Sequence, residues 1–369
     1  MKDLTDILNA YQKIDGRAAL ATVVKIVGTA YRKPGARLLI RSDGSTVGTI
    51  SGGCLEGDVV EKAKKLMAGD NPQLAVFDMT GAEDDLWGYG QGCNGVIHVF
   101  IEPLDPVKIS RQLQFIRRCH EERTQGVIAT VIRVEGELKV GVGSRMYLTA
   151  KGIEETIRHP VVSAAIAEEA QVVYSGGNSR PREFRFTDGV AEVFFEAVHA
   201  PLVLILAGAG SNAMPVVRMA SQLGWQVTVS DHRPALATRE RFPDARSVVV
   251  CRPEELERHV SIDDRTAAVI MTHQFQHDLT LLRFFLSKEV PWYVGLLGNK
   301  NRRELLFQKL EESGLAMSSD LRSRVYGPVG LDVGAENPEE IALAIIAEIQ
   351  SVFSGRSGGF MRDRTSTIH

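Results

Sequence analysis

Cysteine is scarce: the 369 residues hold four (Cys54, Cys93, Cys119 and Cys251), with no CxxC pair. This excludes a disulfide-stapled scaffold and makes free thiols the default. Long hydrophobic runs are also missing. The longest uncharged stretch, residues 197–217, is broken by His199, Pro201, Gly208, Gly210 and Pro215, so no membrane span is expected. Its apolar heart, Leu202 to Ala207, has the length of a buried strand. Neither sign of charge dominates. Forty-three Lys and Arg against 46 Asp and Glu give a net charge of -3, which argues against a nucleic-acid binder and against docking on an anionic membrane. The opening MKDLTDILNAYQKI is interrupted early by acids and leads into no apolar core of signal-peptide type, so a cytoplasmic location is expected. What remains is 44% hydrophobic and 24% charged, the balance of a soluble globular protein. At roughly 150 residues per domain, the length suggests two or three domains.

An internal repeat organises the first part. Ala21-Thr22-Val23-Val24 is similar to Ala129-Thr130-Val131-Ile132, and Gly35-Ala36-Arg37-Leu38-Leu39-Ile40 to Gly143-Ser144-Arg145-Met146-Tyr147-Leu148, at one offset. Gly95 to Glu102 is similar to Gly189 to Glu196 at a shorter one. A unit near a hundred residues is too long for a solenoid and reads as two copies of a strand-rich half, about 17–104 and 125–198, in an α+β domain over 1–200. From Pro201 the pattern changes. Strand candidates at Leu202–Ala207, Gln226–Ser230, Ser247–Val250, Ala267–Thr272 and Tyr293–Leu297 alternate with helices near Asn212–Leu223, Glu254–His259, Leu279–Ser287, Arg302–Ser313 and Pro338–Phe353. Continuous apolar strands alternating with helices predict a Rossmann-type doubly wound parallel sheet over 201–353. The polar Gly/Ser/Arg-rich residues 354–369 are expected to be a disordered tail.

Three clusters carry candidate chemistry. The first is Gly208-Ala209-Gly210-Ser211-Asn212-Ala213, a GxGxxA between strand and helix, with Asp231 ending the second strand. Gly208 would allow the tight turn, Gly210 would let backbone approach a pyrophosphate, and Asp231 stands where a ribose-binding acid is expected. The bland alternative is that Asp231 caps the loop or pairs with Arg233, so NAD(P) binding is left open. The second is Ser51-Gly52-Gly53-Cys54-Leu55-Glu56-Gly57-Asp58. A Ser-Gly-Gly turn opening a helix makes an anion-binding nest, and a cysteine there favours its thiolate, which could attack, carry sulfur or touch a metal. Glu56 and Asp58 would cap the helix electrostatically. The upstream loop Gly28 to Arg37 adds Arg32, Lys33 and Arg37, which suit a phosphate or another acidic ligand. The third is Trp87-Gly88-Tyr89-Gly90-Gln91-Gly92-Cys93-Asn94-Gly95, which could converge with the second on one pocket. The second repeat copy has neither cysteine motif, as a specialised site in one copy would leave it. His273, His277 and Asp278 are a weaker metal candidate, better read as a loop-to-helix cap.

Taken together, Gly28–Arg37, Ser51–Gly57, Gly92–Gly95, Gly208–Gly210, Val229–Arg233, Met271–His273, Gly295–Gly298, Gly327–Gly334 and Asn337–Glu340 resemble the XdhC/CoxI family, the xanthine dehydrogenase accessory factors. The resemblance runs from about Gly16 to Ile349. It implies a maturation factor more than a turnover enzyme: a dimeric, cytoplasmic chaperone that binds the molybdenum cofactor, supports its sulfuration alongside a cysteine desulfurase, and hands it to a xanthine dehydrogenase-type molybdenum hydroxylase. In that reading Arg32, Lys33, Arg37 and the Ser51-Gly52-Gly53 nest would hold the phosphate of molybdopterin. Cys54 would sit at the metal end. Cys93 is the weaker thiol, because Asn94 replaces a glycine of the family's GCGG-like loop. The rival reading is an NAD(P)-dependent oxidoreductase using the C-terminal domain.

Overall fold

The computed structural model describes residues 2–69, 71–79, 95–105, 110–290 and 293–364. It forms two compact units, one from Asp3 to Ala200 and one from Pro201 onward.

The first unit opens with α1 (Lys2–Tyr11), β1 (Ala18–Gly28), β2 (Arg37–Arg41), β3 (Thr46–Gly48), α2 (Glu56–Leu66), β4 (Gln73–Asp78) and β5 (Gly95–Leu104). Next come α3 (Arg111–Glu121), β6 (Gly126–Gly136), β7 (Arg145–Thr149), β8 (Gly152–Glu155), α4 (Pro160–Gly176), β9 (Arg180–Phe186) and β10 (Gly189–Val198). Two antiparallel sheets result, ordered β3-β2-β1-β5-β4 and β8-β7-β6-β10-β9, the same order twice. The quoted repeat blocks fall on matching strands, β1 with β6, β2 with β7 and β5 with β10.

Strand alternation explains why β1 is apolar on both faces. Ala19, Ala21 and Val23 pack with Val59 and Ala63 of α2, and Val127, Ala129 and Val131 pack likewise with Val162 and Ile166 of α4. The alternate residues Val24, Phe100, Ile132 and Phe194 meet in one small core shared by both halves. Each such side chain contributes about 1.5–3 kcal/mol by leaving water. Charges cross the same boundary. Arg37 on β2 binds both carboxylate oxygens of Glu196 on β10, the Nη1 bond being 2.5 Å, and Arg145 on β7 binds Glu102 on β5 at 2.7 Å.

The second unit contains β11 (Val203–Ala207), α5 (Ala213–Gln222), β12 (Gln226–Asp231), β13 (Ser247–Val250), β14 (Thr266–Ile270), α6 (Phe275–Leu286), β15 (Tyr293–Leu296), α7 (Lys300–Glu312), α8 (Ser319–Ser323), β16 (Val325–Tyr326) and α9 (Pro338–Phe353). The sheet is parallel throughout, ordered β13-β12-β11-β14-β15-β16. Residues of α5 and α9 cover one face, and those of α6 and α7 the other. This is the doubly wound Rossmann arrangement expected from the strand–helix alternation. Helix α9 starts at Pro338 because Asn337 and Glu340 form a reciprocal capping box ahead of the apolar run.

Two local expectations differ. Helix α6 begins at Phe275, four residues before the predicted start, because the polar Gln276-His277-Asp278 hides its first turn. Residues 253–258 form a 3-10 helix. Of the segment read as a tail, residues 354–364 have a described course with a 3-10 turn at Met361–Asp363.

Candidate functional site

The Ser-Gly-Gly-Cys turn is held by an acid of its own. Glu56 Oε1 accepts hydrogen bonds from the Thr49 hydroxyl at 2.7 Å, the Ile50 amide at 3.2 Å and the Ser51 amide at 3.0 Å, and Oε2 accepts the Ser51 hydroxyl. Ser51 Oγ in turn accepts the amides of Gly53 and Leu55, both at 3.2 Å. Burial raises the Glu56 pKa, but the Ser51 and Thr49 hydroxyls and the Ser51 amide outweigh it and hold the carboxyl at about 2. The Ile50 and Ser51 amides of the turn are thus aimed at Glu56, and the Gly53 amide at Ser51 Oγ, so these donors are engaged within the chain. Gly53 has a φ of +111°, a left-handed conformation that glycine adopts without strain. Cys54, just beyond, is exposed. Cys119 and Cys251 are buried, and burial pushes both thiols up.

The basic loop reaches the same turn. A Cβ on Gly52 would lie 3.7 Å from Cγ and Cδ1 of Tyr31, so ring and turn are neighbours. The three predicted cations have different fates. Lys33 is exposed, and its side chain has no partner among the described residues. Arg32 pairs with Asp3. Arg37 is 3% exposed and spent on Glu196, with a further bond to the Gly35 carbonyl at 3.2 Å, so it braces the two halves instead of facing a phosphate. Cys93 and its glycine-rich loop lie outside the described residues. Gly95, the first residue of β5, lies against the first loop: a Cβ there would fall 2.6 Å from the Thr29 carbonyl oxygen.

In the second unit, Gly208 turns with a φ of +118°, and a Cβ there would fall on the Met271 carbonyl. Gly210 is less confined; its nearest neighbour would be His273 Nε2 at 3.9 Å. Asp231 is buried and engaged. It accepts the Ala209 amide at 2.7 Å, and the Arg233 amide, Nε and Nη2 at 2.8–2.9 Å. Burial raises its pKa, and the Arg233 and Ala209 bonds override this to hold it at about 2. Asp231 thus pairs with Arg233 and also holds the glycine turn through the Ala209 amide. The cavity beside it, lined by Gly208, Asp231, His232, Cys251 and His277, is about 20 Å3, room for one water. Asp278 is taken by Thr272 and Arg302, and no group of three potential metal ligands occurs among the described residues. A cavity of about 1000 Å3 lies elsewhere in the first unit, among Tyr11, Arg111, Phe115, Arg118 and Tyr147. It includes none of the predicted site residues.

Comparison with known proteins adds to this geometry. The family model described as XdhC Rossmann domain matches residues 204–349, and that of the XdhC and CoxI family matches 13–78 and 119–186. A Bacillus subtilis protein, named as a probable xanthine dehydrogenase subunit, is 32% identical over 95% of this chain and 97% of its own length. The chain belongs to the XdhC and CoxI family. Among XdhC and CoxI relatives, the molybdenum cofactor insertion chaperone PaoD of Escherichia coli is 23% identical over 91% of this chain and 83% of its own. A solved Bacillus halodurans structure described as a xanthine dehydrogenase superposes with a TM-score of 0.76 at 30% identity, covering 99% of this chain and 98% of that one.

For this XdhC and CoxI member, two residues do more than the sequence suggests. Glu56 reads in the sequence as a helix-dipole residue, whereas it ties the turn together. Glu196 reads only as the end of a repeat block. Its signal is present, since an Arg and a Glu stand at matched positions of both copies, and matched charges on otherwise apolar strands imply partners.

Proposed function

We propose that the chain is a carrier for the molybdenum cofactor that protects it and inserts it into a xanthine dehydrogenase-type hydroxylase. The observation that carries this reading is the match along nearly the whole chain to a named cofactor insertion chaperone, together with the match to a protein named for xanthine dehydrogenase. The site supports it chemically. Cys54 is an exposed thiol on a turn whose course is set by Glu56 and Ser51, so it is presented without its own backbone having to order on binding. Lys33, without a side-chain partner among the described residues, offers a cation to the cargo's phosphate, and Arg32 becomes available if it leaves Asp3. The same reading extends to sulfuration of the held cofactor with a cysteine desulfurase, a homodimeric state and a cytoplasmic setting. Among the described residues no helix is long and apolar enough to cross a membrane.

The test is anaerobic titration of the full chain, and of Cys54→Ala, with cofactor released from a purified hydroxylase, measuring retained molybdenum and pterin after gel filtration. Activation of the cofactor-free hydroxylase is the second readout. Retention by the wild type and at least a tenfold loss in Cys54→Ala support the reading. A wild type that retains no pterin overturns it.

A further inference from the structure

We infer that Tyr31 is the stacking platform for the planar pyrimidinone ring of the cargo's pterin; the inference rests on the carrier reading above. The repeat supplies an internal control. Loops 29–36 and 137–144 join equivalent strands and close identically: Gly35 N donates to Val23 O and Val23 N to Ala36 O, while Gly143 N donates to Val131 O and Val131 N to Ser144 O, at 2.8 and 2.9 Å in both copies. The fold thus sets the same loop length and base twice, and what differs is content.

In the second loop two side chains serve packing. Leu138 is 5% exposed in the core of its half, Val140 packs beside it, and Lys139 stands where the first loop has Tyr31. In the first loop Ala30 packs inward, as Leu138 does, so anchoring needs no aromatic. Tyr31 is nevertheless there, 67% exposed. One face of its ring looks onto Gly52. A Cβ on Gly52 would lie 3.7 Å from Cγ, 3.7 Å from Cδ1 and 3.9 Å from Cδ2, near-equal distances that place the ring face over Gly52, where any larger side chain would crowd it. Among the described residues, none makes an aromatic or cation–π contact with the Tyr31 ring. An aromatic ring backed by a glycine and two-thirds exposed is a stacking surface. Lys33 is two residues along, and Cys54 is two residues beyond Gly52. The chemistry selected is a planar heterocycle with an anionic tail and a thiol-seeking end. A pterin phosphate bearing a metal dithiolene has all three features; a purine nucleotide has only the first two.

The experiment uses the full-length protein and its Tyr31→Ala, Tyr31→Phe and Tyr31→Lys variants. The last places at 31 the residue that the equivalent loop already carries, and so should fold. Binding of hydroxylase-derived molybdenum cofactor is measured anaerobically by equilibrium ultrafiltration, the bound fraction being counted as molybdenum and as pterin after oxidation, with guanosine monophosphate measured by absorbance as the nucleotide arm. Tyr31→Phe should bind within twofold of wild type. Tyr31→Ala and Tyr31→Lys should bind about 5- to 150-fold more weakly, the range for loss of one ring-on-ring stack. Equal cofactor affinity in Tyr31→Lys and wild type overturns the inference while leaving the carrier reading intact. No cofactor binding by the wild type overturns both. Tyr31-dependent binding of the nucleotide at equal or higher affinity overturns the assignment to a pterin.

Discussion

Replacing Arg37 by Met should destabilise the first unit by about 3–5 kcal/mol, the usual result of stranding one member of a buried ion pair. The guanidinium is 3% exposed and the Glu196 side chain 9%, so water cannot take over the abandoned carboxylate. Arg37 also keeps a buried Nε without a partner, so removing Glu196 instead leaves a still less satisfied cation. Glu196→Leu should therefore cost at least as much as Arg37→Met. The double variant removes both charges, keeps most of the volume, and should fall within about 1 kcal/mol of wild type. The cycle then reports a coupling of several kcal/mol, far above the few tenths expected of independent sites. The matching cycle on Arg145 and Glu102, whose side chains are 13% and 12% exposed, should give a smaller coupling, about 1–3 kcal/mol. Because the chain has two units, a single unfolding curve would blend them. Hydrogen exchange resolved to peptides of β2 and β10 isolates the relevant opening. A double variant as unstable as the two singles summed would refute the assignment of Arg37 as a brace.

Three further outcomes are expected. Glu56→Gln should cost about 1–3 kcal/mol through lost charged hydrogen bonds. Because the Glu56 carboxyl sits at about 2 in the folded chain against 4.5 ordinarily, its stabilisation is complete above about pH 5 and lost as pH falls toward 2, so the gap in melting temperature between wild type and Glu56→Gln should close over that window. Gly208→Ala should cost roughly 3 kcal/mol or more by strain and overlap with Met271, whereas Gly210→Ala, with space around it, should cost less than about 1 kcal/mol; thermal melts of the two variants compare them. NAD(H) and NADP(H) at millimolar concentration should leave the melting temperature within about 1 °C, since the acid that would meet the ribose is held by Arg233 and Ala209; a shift of several degrees would show that the pair opens.

The second unit was the more legible. Strand, glycine turn, helix, strand and Asp231 follow one another in sequence, and α/β units are built from neighbours in the chain. The first unit yielded its strands but less of its logic. Its apolar β1 owes its pattern to two different layers, α2 on one face and the other half on the reverse, and only the repeat hinted at the second. Among site residues, proximity in sequence misled. Arg32, Lys33 and Arg37 read as one basic cluster, yet strand alternation and a partner 159 residues away turn Arg37 inward. Cys54 could be picked out by its glycines. The role of Glu56 could not, because a carboxylate five residues on from Ser51 is equally compatible with a plain dipole effect.

The crossed Arg–Glu exchange has a consequence for how this molecule can change. Two identical polypeptides meeting in this manner would display every rim loop twice, so any edit that suits one rim to a guest would be imposed on the other as well. With both copies on one thread that obligation lapses. One loop can stay a plain girder while its twin is rebuilt around tyrosine, lysine and an adjacent thiol, and the framework beneath them need not move.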